Sequence, residues 1–242
     1  MKRPIRMMFV APLVVVTLAI TAPVLWAIPF SQSRIIIEVN STAGDAGIQV
    51  FLDAERWKTL EITDPTGQRI FDVTARGSVG MTGMTELFFE SAEPSFQDLP
   101  LNELLARFRE GPYTFNGTTV DGKNLSGKAT LKHNIPAGPK VISPANGASL
   151  SPNFPVVVDW DPVTAPFPGT TLPVTIASYQ VIVERVNPLP EIAFSVHLPA
   201  TVTKVTVPSE FIQASAAYKF EVLAIEASGN QTITEGGFTT TR

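Results

Sequence analysis

From residue 28 onward the apolar positions recur with a period of two, in short runs separated by Gly, Pro, Asn and Asp. Tyr179, Val181, Val183 and Arg185 alternate with Gln180, Ile182 and Glu184, and Tyr218, Phe220, Val222 and Ala224 alternate with Lys219, Glu221, Leu223 and Ile225. Such alternation turns one face of a strand to a core and the other to water. The pattern predicts strands over 34–40, 48–53, 59–62, 69–74, 86–90, 112–119 and 123–133, then 140–142, 156–160, 177–187, 194–198, 204–207, 217–226 and 232–239. Asp64-Pro65-Thr66-Gly67 and Asp121-Gly122 are hairpin turns. One stretch breaks the rule: Leu101, Leu104, Leu105 and Phe108 fall at helical spacing, bounded by Leu99-Pro100 and Gly111-Pro112, and predict one short helix. Ile135-Pro136-Ala137-Gly138-Pro139 reads as a linker, so the expected domains are 28–135 and 136–242, each the size of an immunoglobulin-like sandwich. The fold class is therefore all-β: two tandem immunoglobulin-like antiparallel sandwiches behind an N-terminal signal or anchor helix.

That N-terminal segment is distinct from the rest. Lys2, Arg3 and Arg6 precede an uncharged stretch from Met7 to Phe30, centred on Val14, Val15, Val16, Leu18 and Ile20. Two readings follow: a signal peptide cut after Leu25-Trp26-Ala27, which is favoured, or an uncleaved anchor over residues 7–30, since about 17–25 apolar residues span a bilayer. Pro12 and Pro23 count against a straight spanning helix. Either way, the remainder is expected to be exported: secreted, periplasmic or at the cell surface. Residues 1–27 hold three of the 18 bases and none of the 22 acids, leaving 15 bases against 22 acids in the exported part. An acidic surface repels phosphate backbones and suits cations, so nucleic acid is not an expected partner. With no cysteine, an exported sandwich reads as bacterial, and the sequons at Asn40, Asn116, Asn124 and Asn230 then carry little meaning.

The second segment resembles a fibronectin type III domain. The resemblance rests on Pro139-x-Val141-x-x-Pro144-x-Asn146-Gly147, on the tryptophan of Val156-Val157-Val158-Asp159-Trp160-Asp161-Pro162, and on Tyr179-x-Val181-x-Val183. It continues in Tyr218-x-Phe220-x-Val222-x-Ala224 and the Ser228-Gly229-Asn230 turn. It implies a sandwich with Trp160 and Tyr179 in its core, Phe211 and Ile212 serving before the strand of Tyr218, and no particular ligand. Two features depart from the family: a long Pro-rich loop from Pro162 to Pro173, and the lack of Arg-Gly-Asp.

Candidate chemistry is sparse. Cysteine nucleophiles are excluded by composition, and His133 and His197 sit in strand patterns without a G-x-S-x-G context. Arg76–Gly83 is glycine-rich but reads as a loop, with neither the lysine nor the helix of a phosphate cradle. Glu86, Glu90 and Glu93 lie close in sequence, but Leu87-Phe88-Phe89 between them reads as core, so they are expected on a solvated face. The strongest candidate is Glu38-x-Asn40-x-x-x-x-Asp45-x-Gly47 followed by Asp53, a set of hard oxygens suited to calcium if adjacent strands bring them to one end of a sheet. The alternative is a polar turn in which Asn40 and Asp45 bond their own backbone. Trp57, with Tyr113 near it, would serve as a sugar platform if exposed and is otherwise core; Phe167 is either a contact residue or a lid. The expected function is thus a non-catalytic binding or structural module for a protein partner, or a calcium-stapled module binding polysaccharide, with membrane contact only through an uncleaved N-terminus.

Overall fold

The structure, a computed structural model, describes residues 26–242; the expected signal peptide over 1–27 and the alternative anchor over 7–30 lie outside them as far as residue 25, while Ile28–Pro29, the described end of that anchor, is strand paired with the sandwich and Phe30 packs on its core. The first half runs β1 (Ile28–Pro29), β2 (Gln32–Asn40), β3 (Asp45–Thr63), β4 (Arg69–Thr74), α1 (Gly77–Thr82), β5 (Met84–Glu90), α2 (Leu101–Arg107), β6 (Gly111–Thr119) and β7 (Asn124–Leu131). The helix expected around 101–108 is α2, with Phe108 as its C-cap and Leu104 buried. The glycine-rich loop, by contrast, forms the short helix α1, whose capping Gly83 N–H donates to Val79 O at 2.7 Å.

β3 is the organising strand. Two strands were expected over 48–53 and 59–62; instead one strand of 19 residues runs through both. Ala54 and Trp57 both point inward with Glu55 and Arg56 exposed between them, and the pairing register shifts on either side of Trp57. These are β-bulges, which reset the alternation and bend the strand without ending it. The first half of β3 pairs with β2 and β5, the second with β4 and β6. The bent strand thus belongs to both layers of a sandwich. Ile35, Ile37, Val39, Ile48, Val50 and Leu52 face Leu60, Ile62, Tyr113, Phe115, Leu125 and Leu131 across one core. β1 adds to the edge by parallel pairing with β7.

The second half contains β8 (Val141–Ser143), β9 (Ala148–Leu150), β10 (Val156–Trp160), β11 (Ile176–Asn187), β12 (Ile192–Pro199), β13 (Lys204–Val207), β14 (Ala217–Glu226) and β15 (Gln231–Thr240). A three-stranded sheet in the order β13-β10-β8 faces the antiparallel set β15-β14-β11-β12. This is a fibronectin type III-like sandwich. Trp160 is fully buried and meets Tyr179 edge-on at 5.3 Å, and the Tyr179 hydroxyl accepts the Val163 N–H at 2.8 Å. The Tyr218 hydroxyl accepts from Gln213 N at 2.8 Å and donates to Phe211 O at 3.3 Å. That is the tyrosine corner of such sandwiches.

The two cores are separate, but their sheets are joined. β15 pairs parallel with β2, Gln231 beside Glu38 and Ile233 beside Asn40, so one sheet of 12 strands crosses both halves. Asn230, 1% exposed, accepts the Ile37 N–H at 2.8 Å and donates to Lys132 O at 2.7 Å and Asn134 O at 3.1 Å. Thr232 Oγ1 donates to Pro136 O at 2.6 Å. Gly138 passes so close to β2 that a Cβ there would overlap Ser41 Oγ. Phe167, in the long proline-rich loop, reaches across to stack edge-on against Phe96 of the first core at 5.8 Å. The linker is bonded at three successive residues, Ile135 O accepting from Phe167 N, Pro136 O from Thr232 Oγ1, and Ala137 N donating to Ala165 O.

Candidate functional site

The outward face of the β5-β3-β2 layer, next to the seam with β15, gathers carboxylates. Residues opposite one another share a face, and here the rows are Ile36–Gln49–Glu90 and Glu38–Gly47. After Glu90 the chain stays alongside β3: Ser91 N donates to Ile48 O at 2.9 Å, and Ser91 Oγ accepts the Ile48 N–H at 3.0 Å. This leads Glu93 back across the sheet over Gly47. A Cβ on Gly47 would lie 3.0 Å from Glu93 Cγ and 2.8 Å from Ser91 Oγ, so the missing side chain makes room for the crossing. Ligand-type oxygens of Glu38, Glu90 and Glu93 thereby come within 4.8 Å of one another.

Glu38 is buried, Glu90 and Glu93 are exposed. From the other half, Gln231 Nε2 donates to Glu38 Oε2, and within the layer Gln49 Nε2 donates to Glu90 Oε1 at 2.9 Å. Burial pushes the Glu38 carboxyl up to about 7; the Gln231 hydrogen bond opposes this, and Glu90 and Glu93 reinforce it. Glu93 is also pushed up to about 7, by desolvation of its folded-back end and then by Glu90, Asp45 and Glu235. Burial, then Glu235, raises Asp45, whose Oδ1 is buried without a hydrogen-bond partner. The acidic surface continues over the second half, where burial, then Glu235 and Glu184, raises Glu221. Like charges this close raise one another's proton affinity, and a cation relieves the same repulsion.

Of the four residues expected to hold calcium, the structure keeps two together and sets two apart. Glu38 is the buried centre of the cluster. Asp45 lies near enough to perturb Glu93. Asn40 is spent on its own turn, its Oδ1 accepting the N–H groups of Thr42 and Ala43 at 3.0 Å each. Asp53 pairs with Gln32 whereas Glu38 pairs with Gly47, so six residues of β3 separate their rows. At about 3.4 Å per residue that is roughly 20 Å, too far for one ion. The hairpin places Asp53 at the opposite end from Asp45. The carboxylates that do gather beside Glu38 are Glu90 and Glu93, both exposed, as the expectation of a solvated face has them. Glu86 stands apart, opposite Asp53.

The expected sugar platform loses both its rings. Trp57 and Tyr113 are 0% exposed, inside the first core, and the Tyr113 hydroxyl donates to Arg109 O at 3.1 Å. Trp57 is drawn in by the bulge that lets two outward residues precede it. His133 shares a hydrogen bond between Nε2 and Phe108 O at 2.7 Å, and His197 sits on β12 opposite Gln180.

No protein-family model matches the chain, and no curated protein matches it. Among solved structures, it is similar to the fibronectin(III)-like modules of Clostridium thermocellum CbhA, at 10% identity and a TM-score of 0.32, over 86% of this chain and 94% of that one. The FN1-FN3 domains of chicken CNTN1 give 12% identity and a TM-score of 0.29, over 88% of this chain and 66% of that one. A two-domain fibronectin type III segment of chicken tenascin gives 10% and 0.29, over 87% and 99%. Scores this low leave the fold resting on the strand order and register given above.

Proposed function

We propose that this protein is an exported, non-catalytic binding or structural module in which two sandwiches act as one rigid body toward a protein or polysaccharide partner. The observation that carries this reading is the seam. The β2–β15 ladder, the three hydrogen bonds of Asn230 and the bonded linker fix one half against the other, as a spacer or display scaffold requires. Small-angle scattering tests it: one rigid elongated particle is expected, and Asn230→Ala should broaden its distance distribution. Melts of the full chain with candidate polysaccharides and surface proteins then test for partners, because a ligand that binds only the folded state raises the melting temperature by mass action. Hydrolysis of any such candidate by the purified chain, abolished by Glu38→Gln or Glu93→Gln, would overturn the non-catalytic part.

A second reading is favoured by the carboxylate cluster: it holds a divalent cation, calcium being the natural choice for an all-oxygen set. Glu38, Glu90 and Glu93 offer up to six oxygens, with Asp45 and Glu235 adding charge nearby. The ion would staple the seam from its outer face. Calcium should raise the melting temperature of the wild type and leave that of Glu38→Gln unchanged. Equal responses in both would remove this reading.

A further inference from the structure

The end of the first sandwich farthest from the seam combines exposed apolar side chains with a cluster of bases. Three segments meet around the bend of β3: helix α1, the β6–β7 turn, and the entry of the chain at Ile28. Val120 N donates to Arg56 O at 3.0 Å, Arg56 Nη1 donates to Thr82 O at 3.5 Å, and Ile28 lines a recess with Arg56 and Lys123. Large apolar side chains stand out into solvent here: Trp26 at 88% exposed, Met81 at 74% and Val79 at 52%. The two recesses beside them, of about 530 and 330 Å³, are lined by four bases, Arg56, Lys58, Arg76 and Lys123, against two acids, Glu55 and Asp121, with Asp53 and Glu86 on the sheet next to them. The exported part as a whole has the opposite balance, 15 bases to 22 acids. This end is also where the uncharged stretch Met7–Phe30 enters the sandwich, its last residues forming β1. The β2–β3 turn, and with it the second sandwich, lies at the other end of that hairpin.

We propose that this corner is a bilayer-docking tip: Trp26, Val79 and Met81 enter the headgroup–acyl boundary of an anionic membrane, and the second sandwich projects away from it. The inference rests on the export reading in its uncleaved form, the membrane-anchor alternative of the sequence. Exposed apolar side chains ringed by Lys and Arg are the composition that seats a segment about 5–10 Å into that boundary, and Trp favours the interface. The bases add attraction to anionic headgroups.

The chain has no cysteine, so single reporters are clean. Trp26→Cys, Met81→Cys and Phe154→Cys are each labelled with an environment-sensitive NBD group, Phe154 being a 72% exposed control on the second sandwich. The full chain is reconstituted into phosphatidylcholine–phosphatidylglycerol vesicles that carry a nitroxide lipid. The labels at 26 and 81 should shift to the blue and be quenched, while the label at 154 stays as in water. Quenching at 26 with residue 81 still aqueous overturns the docking tip and leaves the anchor standing. An aqueous signal at all three positions overturns the anchor as well. Quenching at all three shows a chain lying flat on the bilayer and overturns the projecting orientation.

Discussion

Replacing Glu38 by Gln removes the buried charge at the centre of the carboxylate cluster while keeping a group of the same shape for Gln231 to meet. In the fold the Glu38 carboxyl is raised from 4.5 to about 7. An acid raised in the folded state contributes stability that is fully present below its unfolded value, near 4.5, and is lost as pH rises through about 7. A rise of this size corresponds to about 3 kcal/mol at about 1.4 kcal/mol per unit, borne by the wild type above pH 7 and not by the variant. For a chain of this length that is roughly 6–12 °C in melting temperature. Circular dichroism melts at pH 8 and pH 5, with chelator present, read it directly: Glu38→Gln should be more stable than wild type at pH 8 and close to it at pH 5. A variant equal to or less stable than wild type at pH 8 would refute the reasoning, as would an equal gain at both pH values.

Other consequences of the structure are as direct. The wild type itself should melt higher at pH 5.5 than at pH 8 without divalent cation, because Glu38 and Glu93 are both raised to about 7 in the fold; a flat profile over that window would contradict the cluster. Asn230→Ala leaves the Ile37 N–H and two carbonyls of the seam without their partner and should cost about 2–4 kcal/mol in denaturant melts. Trp57→Ala empties the bend of β3 and should cost about 3–5 kcal/mol, where loss of an exposed sugar platform would cost almost nothing. Asp53→Ala should leave any calcium-dependent rise in melting temperature intact, since its row is far from Glu38, whereas Glu93→Ala should weaken it.

The all-β class, most of the strands, α2 and the turns at Asp64–Gly67 and Asp121–Gly122 are legible in the chain because they are local. A period of two, a helical spacing of leucines, and Asp-Gly or Pro-x-Gly each act within a few residues. The same holds for Trp160, Tyr179 and Tyr218, whose aromatic mass at inward positions marks a core. The tertiary structure decided what depends on register between distant segments. β3 reads as two strands because Glu55-Arg56 interrupts the alternation, and only the buried Trp57, paired with both Met84 and Thr119, shows that the strand bends and continues. The candidate site divides in the same way. Glu38 and Asp45 were legible as oxygens near a glycine and Glu90 and Glu93 as a solvated face, but the distance of Asp53 from Glu38 and the approach of Glu90 and Glu93 to it were not, since a slip of strand register moves every side chain to another row or face. The pairing of β2 with β15 joins residues from opposite ends of the described chain, and no signal in either segment specifies the other. That pairing, together with the hydrogen bonds of Asn230 and Thr232, joins the two sandwiches and places a buried glutamate against the seam.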